Sequence, residues 1–445
     1  MKKIIAITAM AAMVAAAAMA DEPDVDLKIA EISGNAKVTW GIDLDSNGSS
    51  GVGRTGFKNE EEAKLKVNIA NGGSKFTEGE GVWGELEVKV GDALTATNGT
   101  LGGGSASINT AKLHVGDLYI GIRKGDTQVG DYNVPNAVKS STIGIGKKGE
   151  DKTHGLVVGY GNDLFGIDVD FRSEPDSTGT DFYTDDYALA AEASLKDLSG
   201  LSAKAGASFA FKSKLLGVEG SVDYKLPLGD NFLKVGVGAG FEKASGASLS
   251  NGEVAAGVVF GWGDEAEEAA GFYYLGSKDN TKKRTPGVGV AVYLPLYTHT
   301  YLDIVPSFYS GEIVENLTAA VLGEVIIPID NAGINMGMAV AGDVSYKLAV
   351  GDAISVTPKA GFRFANADYI GGKASAIFTT GNTDNSGLSD LTPAGTSGLL
   401  NFKAGVDIGG LIPNTTFTAE YQSRNLTGSG NGKAGTFNIT AKIAL

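Results

Sequence analysis

The feature that most constrains this chain is a side-chain period of two that keeps returning. From Glu31 to Asp45, EISGNAKVTWGIDLD, every even position is apolar or glycine (Ile32, Gly34, Ala36, Val38, Trp40, Ile42, Leu44), and the odd positions, Gly41 apart, are polar. Successive side chains of a β-strand point to opposite faces, so the pattern predicts a strand with one apolar and one polar side. At about 3.3 Å per residue such a strand runs to roughly 45 Å, enough to cross a bilayer obliquely.

The same alternation recurs down the chain. Leu65, Val67 and Ile69 oppose Lys64, Lys66 and Asn68; Leu86, Val88 and Val90 oppose Glu85, Glu87 and Lys89. Ala203, Ala205, Phe209 and Phe211 oppose Lys204, Ser208 and Lys212; Val218, Val222 and Tyr224 oppose Glu219, Asp223 and Lys225. Val235, Val237 and Phe241 face away from Lys234 and a run of glycines, and Met336, Met338, Val340 and Val344 away from Asp343 and Ser345. Val356, Ala360, Phe362 and Phe364 alternate with Thr357, Lys359 and Arg363, and Phe437, Ile439, Ala441, Ile443 and Leu445 carry the pattern through the last residue. No stretch of comparable length shows a helical period. The expectation is an all-β chain forming a transmembrane antiparallel β-barrel, with an even strand number of roughly 16 to 22. A soluble sandwich fits less well: its strands are typically about five or six residues long, and charges of both signs on one face suit a water-filled lumen.

The first residues add a compartment. Lys2 and Lys3 precede an apolar run from Ile4 to Ala18, and Ala18-Met19-Ala20 ends in small residues, which predicts a secretory signal over 1–20 and a mature chain over 21–445. Removing that leader's two lysines takes the formal charge from −15 to −17, a balance that argues against a nucleic-acid partner. Zero cysteines exclude a disulfide framework, thiolate catalysis and cysteine-ligated metals.

Outer-membrane barrels alternate short periplasmic turns with longer external loops. Connections at 161–163, 197–200, 366–371 and 412–415 are expected on the short side. Those at 46–62, 91–107, 173–186, 243–251, 277–286, 381–398 and 425–433 are expected on the long side. Of the long ones, 91–107, like the segment 125–151, is a candidate to fold inward and narrow the lumen.

Sequence motifs for chemistry fall away on inspection. Gly51-Val52-Gly53-Arg54-Thr55-Gly56 has the spacing of a dinucleotide fingerprint but no helix after it. Asp43, Asp45, Asn47 and Gly48 open like a calcium loop, whose twelfth position should be glutamate and is Arg54. His114, His154 and His299 have no metal-site or triad spacing. The expectation is no enzyme, no catalytic or metal site and no cofactor. What remains is the polar face. Lys37, Lys64, Lys66, Glu85, Glu87, Lys89, Lys204, Lys212, Glu219, Asp223, Lys225, Lys234, Lys359, Arg363, Lys403 and Asp407 are the pore-lining candidates. Trp40, Trp83, Tyr119, Tyr160, Tyr187, Tyr224, Tyr293 and Tyr309 are candidates for the aromatic girdles at the membrane interfaces.

Val38-Thr39-Trp40-Gly41-Ile42-Asp43-Leu44 with Thr55-Gly56-Phe57-Lys58-Asn59 resembles the N-terminal signature of the treponemal major outer sheath proteins. Phe402-Lys403-Ala404-Gly405-Val406-Asp407, Asn414 to Tyr421 and the closing strand are similar to that family's C-terminus. The resemblance implies an abundant spirochaete outer-membrane protein with pore-forming activity, adhesion to host matrix proteins and a homotrimeric assembly. Family accounts differ over whether the N-terminal part, 21–150, lies in the barrel or forms a separate periplasmic region; the loop parity and the regular alternation from Glu31 onward favour one barrel over 21–445. Two functions follow: a porin passing small hydrophilic solutes and ions through outer-membrane lipid, or a surface adhesin binding host matrix through loops such as 381–398.

Overall fold

The structure, a computed structural model, describes residues 25–44, 55–71, 82–91, 96–97, 100–101, 105–124, 154–175, 184–212, 214, 216–243, 251–262, 286–296, 300–311, 313–329, 336–351, 353–366, 399–423, 426–427 and 435–444. Its long strands are β1 (Val25–Asp43), β2 (Thr55–Asn71), β3 (Val82–Gly91), β4 (Ser105–Val115), β5 (Leu118–Lys124), β6 (His154–Gly161) and β7 (Phe165–Pro175). Then come β8 (Thr184–Leu198), β9 (Leu201–Ala210), β10 (Leu216–Leu228), β11 (Asn231–Lys243), β12 (Asn251–Trp262), β13 (Gly287–Leu296) and β14 (Tyr301–Tyr309). The last are β15 (Leu317–Pro328), β16 (Gly337–Tyr346, resuming as Leu348–Val350), β17 (Ile354–Ala365), β18 (Leu399–Gly409), β19 (Thr415–Gln422) and β20 (Thr436–Ala444). The sheet holds 21 hydrogen-bonded strands; both pieces of β16 pair with β17 and form one interrupted stave, which leaves twenty.

Each stave pairs antiparallel with the next, and β1 also pairs with β20 from Asn35↔Ala444 to Asp43↔Thr436. The sheet therefore closes on itself as a barrel. Closure gives every stave two hydrogen-bonded neighbours and leaves no edge, the condition for a sheet to stand in hydrocarbon. Across the seam the hydroxyls of Thr39 and Thr440 lie 3.0 Å apart.

The two faces separate as the alternation predicts. On β5, Leu118, Ile120 and Ile122 are 56%, 47% and 54% exposed, while Tyr119 and Gly121 between them are half-buried. The exposed apolar set continues through Val158, Val169, Val222, Val237, Val258, Met338 and Ile439, the lipid-facing band of a membrane barrel. Aromatic pairs stand at both rims of this outer face: Tyr160 with Phe165 and Trp262 with Phe308 toward one end, Phe171 with Tyr187 toward the other. Trp40 and Tyr224 share the outer face. Trp83, Tyr119, Tyr293 and Tyr309 do not belong to a girdle; they fall on the inner face, because Tyr119, Tyr293 and Tyr309 alternate with the exposed apolar residues of β5, β13 and β14, and Trp83 pairs with His114, which stands between exposed Leu113 and Val115.

Connections 116–117, 162–164, 199–200, 229–230 and 351–353 meet at one end, and 92–104, 125–153, 366–398 and 423–435 at the other. The short-turn end is the periplasmic one by the rule for such barrels. Two expected placements are corrected. The stretch 277–286 belongs to the connection at the short-turn end, because β12 pairs directly with β13 and the extra strand needed to carry it to the other side does not intervene. The stretch 366–371 lies at the long-loop end, because β17 pairs directly with β18. The leader over 1–20, the glycine-rich loop 51–54 and residues 45–48 lie outside the described residues, as do 125–151 and most of 92–104.

Candidate functional site

The candidate site is the inner wall of the barrel, and three regions of it differ in character. The first is a charge ladder on β17, β18 and β19. The lattice of the sheet sets Thr357 opposite Asp407, Asp407 opposite Thr418 and Gly405 opposite Glu420. Lys359 reaches diagonally across this lattice: its Nζ donates to both carboxylate oxygens of Asp407 at 2.9 and 3.0 Å and lies 3.6 Å from Glu420 Oε2. Lys403 Nζ stands 2.8 Å from the same Glu420 oxygen, and Thr418 Oγ1 donates to Asp407 at 2.7 Å. The ladder holds two ammonium groups and two carboxylates, so it carries polarity and little net charge. A smaller pair, Lys234 with Asp223 at 3.5 Å, bridges β10 and β11.

The second region is a row at one height across six staves near the short-turn end. Trp83 pairs with His114, His114 with Tyr119, Tyr119 with Gly159, Gly159 with Asp168, and Asp168 with Glu192. The Trp83 and His114 rings stack at 3.7 Å with 5° between their planes, and His114 Nε2 is 3.4 Å from Glu85. Gly159 makes the row possible: a Cβ there would collide with the Tyr119 ring and with Asp168 Oδ1. The Tyr119 ring thus lies across the glycine toward the carboxylate. Its face carries the Lys112 ammonium 4.6 Å from the centroid, a cation–π geometry. Beside the row opens a recess of about 310 Å³ whose lining includes Trp83, His114, Tyr119, Asp168, Glu192 and Lys196.

The third region is dry. On β13 to β16 much of the inner face is apolar and buried: Ala291, Tyr293, Val305, Leu322, Ile326 and Ala341 are no more than 1% exposed. Asp303 and Glu324 are set among them and are likewise buried, and Arg363 on the adjoining β17 is buried as well. This arc of the wall is packed and not wetted.

Against the pore-lining candidates, Lys37, Glu85, Glu87, Lys204, Glu219, Asp223, Lys225, Lys234, Lys359, Lys403 and Asp407 take inner-face positions with at least partial exposure. Lys64, Lys66 and Lys89 occupy strand positions on β2 and β3, and their side chains lie outside the described residues. Two candidates sit differently. Lys212 falls past the end of β9, where the pairing with β10 stops at Phe209↔Leu216. Arg363, on β17 beside the packed arc, is only 3% exposed and does not reach a wet surface. The alternation in Gly166-Ile167-Asp168-Val169-Asp170 was signal enough to add Asp168 and Asp170 to the inner face, and Glu420 follows from Phe417, Ala419 and Tyr421 in the same way.

No family model matches this chain. Among curated proteins it is 40% identical to the major surface protein MspTL of Treponema lecithinolyticum over 201 residues, covering 40% of this chain and 32% of that one. It is 26% identical to the major outer membrane protein MspA of Treponema maltophilum over an alignment spanning both chains in full. Among solved structures it is similar to OccK2 (OpdF) of Pseudomonas aeruginosa, at 12% identity and a TM-score of 0.44 over 94% of this chain and 98% of that one.

Proposed function

We propose that this chain, which belongs to the treponemal major outer sheath protein family, works in the outer membrane as a porin that lets small hydrophilic solutes and ions diffuse through a water-filled lumen. The observation that carries this is the closed seam between β1 and β20 combined with an apolar outer band and a charged inner wall. Twenty staves about 4.8 Å apart and tilted by about 40° would, if round, span about 40 Å between opposite backbone walls. That is wide enough for water to remain after side chains are placed. The packed arc of β13 to β16 narrows the wet cross-section, leaving β17 to β20 and β1 to β12 as the conducting side. On this reading residues 21–150 are part of the channel wall and not a separate periplasmic region, and the shared pairing of β1 with β2 and β20 supports it.

No catalytic cycle is invoked; transport is passive and the lumen charges tune selectivity. Liposomes carrying the refolded chain should swell in solutions of monosaccharides and amino acids and more slowly as solute size rises. Absence of swelling in folded, incorporated protein would overturn the porin reading. The ladder gives a finer test. Glu420→Gln should move the reversal potential of a salt gradient toward anions and Lys403→Gln toward cations, and identical potentials in both variants would remove these residues from the conducting path. The surface-adhesin reading depends on external connections such as 381–398, which lie outside the described residues.

A further inference from the structure

We infer that the recess at the short-turn mouth is a binding subsite for a protonated primary amine carried on a small solute, an inference that rests on the channel reading above. Two walls and a glycine floor build it. One wall is aromatic, the stacked Trp83 and His114 followed by Tyr119. The stretch of wall that continues from it is acidic, with Asp168 and Glu192 adjacent across β7 and β8. Between them Gly161 and Gly166 pair with each other and present no side chain, so the chain keeps about 310 Å³ open at this point. Counting roughly 30 Å³ for each heavy atom, as for a water molecule, the recess takes about ten.

Its charge selects among solutes of that size. Three carboxylates line it, Asp117, Asp168 and Glu192, against one ammonium, Lys196. That ammonium is drawn to the rim, where it donates to the backbone oxygen of Asn162 at 2.6 Å. The aromatic wall favours the same sign of charge. Tyr119 already holds the Lys112 ammonium over its ring face at 4.6 Å, and Lys112, though outside the recess lining, also acts on Asp168, so three carboxylates stand against two ammonium groups. Carboxylates that accept from an ammonium, combined with an electron-rich ring in a partly dehydrated recess, recognise an organic cation. An anion would meet the acidic wall. A neutral polyol would fit in size and gain neither interaction.

The test uses 1,4-diaminobutane and, as its uncharged counterpart of the same length, 1,4-butanediol. Calorimetry on the refolded full-length chain in detergent should show saturable binding of the diamine and none of the diol. Asp168→Asn combined with Glu192→Gln should weaken the diamine by about fivefold or more, since each lost charge contact is a fraction of a decade in affinity. Gly161→Leu should abolish binding by filling the floor; a Cβ at Gly161 meets no atom within 4 Å, so the substitution leaves the wall in place. Lys403→Gln, in the distant ladder, should bind the diamine as the parent does. Equal binding of diamine and diol, no binding of either, or full binding in the Gly161→Leu chain would overturn the subsite. In a planar bilayer the diamine should reduce the open current more strongly from the short-turn side. A chain that conducts but binds no diamine fails the subsite and keeps the porin; one that binds the diamine but never conducts fails the porin.

Discussion

Gly410 opens the turn between β18 and β19 at φ +83°, and a Cβ there would overlap the carbonyl oxygen of Ala353. Gly229, in the turn between β10 and β11, has φ +68° but open space around it. The two separate backbone strain from steric overlap. Gly229→Ala should cost only the left-handed penalty of about 1 to 2 kcal/mol, and Gly410→Ala more than that, because a backbone atom must also move. Urea unfolding of the refolded chain in detergent measures both; equal losses would mean that the Ala353 contact does not matter. At this scale the sequence was partly legible. Lys359, Lys403 and Asp407 could be assigned to the polar face from alternation alone, yet their meeting in one ladder depends on how three staves slide against one another. The Trp83-His114-Tyr119-Gly159-Asp168 row was not legible at all, since it is a product of register across staves far apart in sequence, and a period of two is silent on register.

At the scale of the stave, position within the alternation decides what a charge costs. Val222 sits mid-stave on β10, 46% exposed on the outer face, and Ser221 beside it points inward. Val222→Arg places a guanidinium in the hydrocarbon and should lower stability by about 2 to 4 kcal/mol. Ser221→Arg places it in the lumen and should stay within about 1 kcal/mol even opposite Lys204. Unfolding in lipid vesicles compares the two, and similar losses would contradict the assignment of faces. Staves with charged inner faces, such as β10 and β17, were legible because their two sides differ. The runs in β13 to β16, for example Val288-Gly289-Val290-Ala291-Val292, are apolar on both sides. Such a run has no wet side, and here one face is packed inside the barrel while the other, with Val288 48% and Val321 44% exposed, belongs to the lipid-facing band. The strand number, expected to be even and roughly 16 to 22, is twenty; only the placements of 277–286 and 366–371 differ, because β12 pairs directly with β13 and β17 with β18.

For the whole molecule the decisive feature is closure, which no local pattern encodes because it joins residue 39 to residue 440. Thr39 and Thr440 are direct partners across the seam, and antiparallel partners have Cα atoms about 4.5 to 5.5 Å apart, within disulfide range. The chain has no cysteine of its own, so Thr39→Cys with Thr440→Cys reports on the seam without interference. Oxidation after folding should link the termini and shift mobility on a denaturing gel, and a pair that stays reduced in folded protein would place the ends apart. The closed seam, the lipid-facing band and the charged inner wall together make one claim, that water runs through this barrel. Single-channel recording of the refolded chain in a planar bilayer tests it most directly. Large, stepwise and weakly selective openings are the predicted result; folded β-protein that inserts and stays silent would contradict it.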